Sequence, residues 1–94
     1  MTTYNKQDLQ TFNGVSTTQG PFTLHGGVYG LAVSATFGGG SVTLEVLNAD
    51  GATWVPVGAP ITAAGYATYS LISGTYQLLV TTATAVVATL ASLP

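Results

Sequence analysis

From Gly51 to Pro94, nearly half of the chain, no residue carries a charge. A membrane-spanning helix needs about 20 predominantly apolar residues, so a run this long must first be tested for one. Helix breakers interrupt it at Pro56, Gly58, Pro60, Gly65 and Gly74. Residues 76–93, the best remaining window, contain four threonines and have no basic flank. The sequence therefore predicts short elements and no membrane partner.

Apolar and small side chains alternate along residues 28–37. Because side chains in a strand alternate with period two, the larger apolar residues share one face: Tyr29, Leu31, Val33, Ala35 and Phe37. Three glycines at 38–40 then predict a tight reversal. Residues 41–47 are predicted to return as a strand with Val42, Leu44 and Val46 inward.

Turn signals divide the rest of the chain into further short strands. Residues 48–51, Asn-Ala-Asp-Gly, predict a turn, and Pro56 places the short strand 52–57 at a sheet edge. Residues 66–72 and 75–81 are predicted to form a hairpin, and β-branched residues favour a strand over 84–90. The fold class is therefore all-β, a single small β-sandwich or jelly-roll-like barrel of six to eight short antiparallel strands. No internal repeat is evident.

Residues 1–20 differ from the rest because they are polar and their apolar residues are scattered. This pattern predicts an extended N-terminal arm, free or pinned on a neighbouring molecule, and leaves residues 21–94 as the β-sandwich domain. No apolar segment resembling a signal peptide is present in it. Its apolar side chains are candidate interface residues: Tyr4, Leu9, Phe12 and Val15.

The formal charges number four, at Lys6, Asp8, Glu45 and Asp50, and the net charge is −2. Nucleic-acid binding needs several cations that neutralise phosphates, so no nucleic-acid partner is expected. An inward-pointing Glu45 is not expected, and all four charges are predicted to lie at the rim.

The residue types for catalysis and metal binding are scarce. His25 is the single histidine, precedes Gly26 and Gly27, and is interpreted as a turn residue, while cysteine is absent. No motif frames a nucleophilic serine, and the three acids show no paired-carboxylate or calcium-loop spacing. The sequence predicts no catalytic residue, metal or cofactor site, and no enzymatic activity.

The small-residue face of the strand 28–37 is the positive functional signal. Gly30, Ala32, Ser34 and Thr36 would let a partner approach closely, and charged residues are depleted in interface cores. A homo-oligomer is therefore predicted. Among the aromatic residues, Tyr29, Tyr69 and Tyr76 are assigned to the core, whereas Trp54 and Tyr66 are candidate exposed contacts.

Four segments resemble a class of short virion structural proteins of tailed bacteriophages. They read Gly-Gly-Val-Tyr-Gly-Leu-Ala-Val at 26–33, Ala-Thr-Phe-Gly-Gly-Gly-Ser-Val-Thr-Leu at 35–44, Asp-Gly-Ala-Thr-Trp-Val at 50–55 and Ser-Gly-Thr-Tyr-Gln-Leu at 73–78. The resemblance implies a capsid decoration or cement protein that clamps neighbouring major capsid proteins, as a trimer or dimer. It would be made in the host cytoplasm and lie on the capsid surface of the virion.

Two alternatives remain open. The chain could be a module of a head or tail fibre that binds a glycan or receptor through Trp54 and Tyr66. It could also be a structural component of the tail or neck.

Overall fold

The computed structural model describes residues 9–93. Those residues form eight β-strands and no helix. The strands are β1 (Leu9–Val15), β2 (Gln19–Leu24), β3 (Gly27–Thr36), β4 (Ser41–Leu47), β5 (Trp54–Pro56), β6 (Gly65–Leu71), β7 (Gly74–Thr81) and β8 (Thr84–Ser92).

The strands pair as a long hairpin that has been rolled up. Counting from its tip between β4 and β5, the pairs are β4–β5, β3–β6, β2–β7 and β1–β8, all antiparallel. Rolling the hairpin adds the pairs β3–β8 and β4–β7. Two four-stranded sheets result, sheet A with the order β1-β8-β3-β6 and sheet B with the order β2-β7-β4-β5. This arrangement is a jelly roll, which confirms the predicted fold class.

The core lies between the two sheets and is built by period-two alternation. The predicted inward residues of β3 and β4 are buried at Tyr29, Leu31, Val33, Val42 and Leu44, and Val46 packs against them. The other buried apolar residues are Leu24, Leu71, Tyr76, Leu78, Val80, Ala83, Val86, Ala88 and Leu90.

The hairpin predicted for residues 66–72 and 75–81 is wrong in its pairing. β6 belongs to sheet A and β7 to sheet B, so the chain crosses between the sheets at the Ser73 turn. Both strands contribute to the common core, β6 with Leu71 and β7 with Tyr76, Leu78 and Val80. Turn residues signal a reversal of direction, but they do not specify which sheet the next strand enters.

The predicted arm over residues 1–20 needs correction at residues 9–20, which form β1 and the start of β2. Phe12 and Val15 both pack against the core, although their odd spacing breaks strict alternation. A register shift between Asn13 and Val15, with Gly14 at φ +73°, restores the facing of the strand. The Phe12 and Phe22 rings then lie 5.8 Å apart between centroids. The remaining part of the arm, residues 1–8, lies outside the described residues.

A repeat that sequence inspection missed relates the two halves of the fold. Residues 24–33 and 71–80 share five of ten positions, in the pattern Leu-x-x-Gly-x-Tyr-x-Leu-x-Val. Tyr29 donates its hydroxyl to the carbonyl of His25, and Tyr76 donates to that of Ile72, each at 2.6 Å. Under the offset of 47 residues, β2 corresponds to β6 and β3 corresponds to β7. The jelly roll is therefore pseudo-symmetric, with its two halves related by this offset.

Glu45 does not point into the core, as expected, but it is buried on the outer face of sheet B. Its side chain is only 9% exposed, and Gln77 Nε2 donates a 2.7 Å hydrogen bond to Glu45 Oε1. By alternation Glu45 points to the outer face of sheet B, but β7 and β5 flank β4 on both sides. Crowding by these neighbours buries the carboxylate without placing it in the core.

The turn between β4 and β5 surrounds an exposed carboxylate with donors. Asp50 accepts bonds from the Thr53 hydroxyl at 2.6 Å and from the Ala52 and Thr53 amides at 2.9 Å. The Thr53 hydroxyl is the main cause, with these amides, of the lowering of the Asp50 pKa from 3.8 to about 2.

This shift predicts an acid-sensitive contribution to stability. Because the pKa is lower in the folded state, the contribution is complete above about pH 3.8 and is lost as the pH falls through about 2. The Tm of the native protein should therefore exceed that of Asp50→Asn at pH 5, and the gap should narrow between about pH 4 and pH 2. Thermal melts followed by circular dichroism at fixed ionic strength would measure it. A gap that does not change with pH would contradict the assignment.

A candidate interface on the outer face of sheet A

The outer face of sheet A is a charge-free surface four strands wide. Cross-strand registers align its residues in rows: Leu9, Ala91, Gly30 and Thr68; Thr11, Thr89, Ala32 and Tyr66; and Asn13, Val87 and Ser34. Leu9, Val28, Tyr66, Val87 and Leu93 expose substantial apolar surface at or near it. Hydroxyl, amide and apolar groups therefore form this surface without ionised groups.

Tyr66 lies across the sheet and covers Gly30. A Cβ atom placed on Gly30 would collide with the Tyr66 hydroxyl oxygen, and the neighbouring ring carbon would be 2.8 Å away. Gly30 is consequently buried, while Tyr66 remains 64% exposed. A glycine on β3 thus seats an aromatic ring whose other side is open to a partner.

A shallow depression of about 220 Å³ lies on the same side of sheet A. Its lining residues come from β3, β8 and the start of β6: Ala32, Val33, Ser34, Gly65, Val87 and Thr89. The depression forms where Ala32 and Ser34 have small side chains and Gly65 has none. A protruding apolar or hydroxyl-bearing side chain of a partner would fit it by size and polarity.

The structure gathers six of the predicted interface residues on this face: Leu9, Gly30, Ala32, Ser34, Thr36 and Tyr66. Phe12 instead points towards the core by regular alternation, and the register shift at Gly14 brings Val15 to the same side. Trp54 lies on β5 of sheet B, and Tyr4 lies outside the described residues.

Two residues of the face, Val87 and Thr89, were not selected from the sequence. β8 was predicted as a strand from its composition, and its faces were not assigned. In the structure Val86, Ala88 and Leu90 are buried while Val87 and Thr89 between them are exposed. Adjacent valines at 86 and 87 give no indication in the sequence of which one faces the core.

The ionisable side chains of residues 9–93 do not converge on one site. His25 lies in the β2–β3 turn, Glu45 on β4 and Asp50 in the β4–β5 turn. No group of three His, Cys, Asp or Glu in this part of the chain could hold a metal ion. The outer face of sheet A is instead suited to binding a protein partner through close approach, apolar burial and hydroxyl hydrogen bonds.

Trp54 and Tyr66 do not share a surface. Trp54 pairs with Leu47 in sheet B and is half-buried, whereas Tyr66 pairs with Ala32 in sheet A. A stacking platform that uses both rings at once is not formed by this arrangement.

Comparison with known proteins adds a likeness at the level of the fold. No protein-family model and no curated protein matches the chain. A solved structure described as "Bacillus endospore appendages form a novel family of disulfide-linked pili" contains a similar chain, with a TM-score of 0.56 and 15% identity. The match covers 92% of this chain and 80% of that one.

Among residues 9–93 no helix is long and apolar enough to cross a membrane.

Proposed function

We propose that the protein is a non-enzymatic structural subunit of a larger protein assembly and that the outer face of sheet A is buried against other subunits. The observation that carries this proposal is the absence of charge across all four strands of that face. Ionised groups are costly to desolvate, so a surface without them can be covered by protein at little electrostatic cost. Exposed apolar groups on the same face add a driving force for burial.

In its finer form, the proposal is a capsid decoration or cement protein. The phage-like segments at 26–33 and 73–78, which form the beginnings of β3 and β7, support it through their resemblance to virion structural proteins. Major capsid proteins would be the partners, and the subunit would stabilise the shell by binding only its assembled state. Capsids assembled without this protein should bind it in a co-sedimentation assay.

The fold likeness favours a second candidate, a subunit of a surface appendage. The similar chain comes from disulfide-linked pili. This sequence contains no cysteine, so its copies would associate without disulfides of their own. Negative-stain electron microscopy separates the candidates, because an appendage subunit would form filaments alone and a decoration protein would not.

A charge introduced at the centre of the face tests the shared part of both candidates. Thr89 is exposed on β8, so Thr89→Lys should leave the fold intact and place an unpaired charge in the buried contact. We expect self-association, measured by light scattering after size exclusion, to weaken by about 100-fold.

Thr23→Lys is the matched control, because Thr23 is an exposed threonine on sheet B. It should associate like the native protein. If both variants behave alike, the outer face of sheet A is not the contact.

The glycan-binding alternative is tested separately with Trp54→Ala, which should abolish glycan binding by the isolated protein if that activity exists.

A further inference from the structure

Three of the four edge strands carry a feature that prevents pairing with another chain. β1 has a register shift at Gly14, and β2 has both a register shift and Pro21, which lacks an N–H. β5 is three residues long and ends at Pro56. Bulges, prolines and short length are the means by which sheet edges are protected from strand addition.

β6 lacks all of these features. Its seven residues pair with β3 in one unbroken register from Leu71 to Gly65. It contains no proline and no charge, and the charge-free sequence continues on both sides of it. Within residues 9–93, β6 lies at the end of sheet A with no strand on its outer side.

The backbone groups at this edge can be assigned from the ladder. The Leu93 amide donates to the Val28 carbonyl at 2.8 Å, so even-numbered residues of β3 direct their polar groups towards β8. Odd-numbered residues of β3 therefore bond β6, through odd-numbered partners such as Tyr69 and Ala67. The N–H and C=O groups of Tyr66, Thr68 and Ser70 consequently point away from the sheet.

The pseudo-symmetry of the fold sharpens the contrast. Under the offset of 47 residues, Thr68 of β6 is the equivalent of Pro21 of β2. One half of the molecule thus has an N–H group at the position where the other half has none. The open edge of sheet A is a specific difference between two related strands.

We propose that a second copy of this chain adds to sheet A through β6, with the two β6 strands antiparallel about a two-fold axis at Thr68. This register pairs Thr68 with Thr68 and Tyr66 with Ser70 of the partner, and forms about six backbone hydrogen bonds. The two-fold axis places Thr68 directly opposite its own copy, where a charged residue would face a like charge. Facing threonines are a favourable cross-strand pair, and Tyr66 lies back over Gly30, clear of the edge.

The inference rests on the proposed function only in that both require self-association. Thr68 belongs to both the edge of β6 and the outer face of sheet A, but the edge would pair through backbone groups and the face through side chains. Thr68→Pro therefore tests the edge and Thr89→Lys, on β8, tests the face, so each can fail alone. Joining two copies at β6 gives one continuous eight-stranded sheet, which doubles the width of the charge-free face.

Thr68→Pro tests the edge directly, because it transfers to β6 the residue that β2 has at the equivalent position. The Thr68 N–H takes no part in the ladder with β3, so the fold should persist with a native circular dichroism spectrum. Both hydrogen bonds of the central pair would be lost, and we expect the dimer dissociation constant to rise by about 100-fold in sedimentation velocity. Thr68→Val, which keeps the N–H, should dimerise like the native chain.

A charge pair provides a second test that leaves every backbone group in place. Thr68→Lys and Thr68→Asp should each be monomeric alone, and mixing them should restore a one-to-one dimer, because opposite charges then face each other across the axis. A dimer of Thr68→Pro, or a mixture that stays monomeric, would overturn the proposal. So would loss of the dimer on deleting residues 2–8, since that segment would then be the occupant of the edge.

The two surfaces give distinguishable failures. If Thr68→Pro is monomeric and Thr89→Lys still self-associates, β6 is the dimer interface and the outer face of sheet A is not the contact. The reverse pattern would remove β6 and leave the proposed function standing.

Discussion

Replacing Leu31 or Leu78 with alanine should lower the free energy of unfolding by about 3 kcal/mol in each case. Both side chains are 0% exposed and lie on central strands, β3 of sheet A and β7 of sheet B. They occupy equivalent positions of the repeat, so the two losses should be similar. For a domain of this size, the Tm should fall by about 15 °C. Urea denaturation would measure the free energy of unfolding and thermal melts would measure the Tm, both at one fixed protein concentration.

Ile72→Ala is the control for this pair. Ile72 is 71% exposed in the β6–β7 turn, so its truncation should change stability by less than about 0.5 kcal/mol. If Leu31→Ala and Leu78→Ala differ by more than about 2 kcal/mol, the two halves relax differently around the cavity and the energetic equivalence of the repeat fails.

Gly40→Ala should destabilise the protein by roughly 3 kcal/mol, the upper end of the range for overpacking. A Cβ at this position would collide with the Thr81 carbonyl oxygen and would lie 2.8 Å from the Ala83 amide nitrogen. These are backbone atoms, and the Ala83 amide bonds the Thr81 carbonyl at 2.7 Å. The obstacle therefore cannot rotate away as a side chain would. Thermal and urea unfolding would both report the loss.

Two other glycines distinguish the cost of a steric clash from the cost of a positive φ. Gly65→Ala should be nearly neutral, because no heavy atom lies within 4 Å of its Cβ position and its φ is not positive. Gly39→Ala also meets no atom, but its φ of +84° should cost about 1 kcal/mol. A loss for Gly40→Ala no larger than that for Gly39→Ala would show that the Thr81–Ala83 turn can move aside.

Strand alternation was readable wherever a strand is regular. Along β3 and β7 the large apolar side chains alternate with small or polar ones, so Tyr29, Leu31 and Tyr76 were placed correctly in the core. In β1 a bulge separates Phe12 from Val15, and their irregular spacing was therefore interpreted as an extended arm, free or pinned on a neighbouring molecule. The three glycines at 38–40 show a similar limit: the turn was predicted, but the contact of Gly40 with a distant turn was not.

The candidate interface divides in the same way. Gly30 to Thr36 could be selected because one strand contains the whole pattern. The positions of Tyr66, Val87 and Thr89 on the same face depend on which strands lie beside β3, and pairing between distant segments leaves no local signal. The separation of Trp54 from Tyr66 arises from the same cause, since it is set by the sheet that each strand enters.

By itself, the amino-acid sequence determined the strand periods, the turns and the neutrality of the surface, because these follow from side-chain type and local backbone preference. Only the tertiary structure decided that the hairpin is rolled into two sheets, that β1, β2 and β5 lie at edges with features that hinder pairing, and that no strand among residues 9–93 covers β6. Those properties depend on contacts between residues far apart in the chain, which form only when the two halves close around a common core.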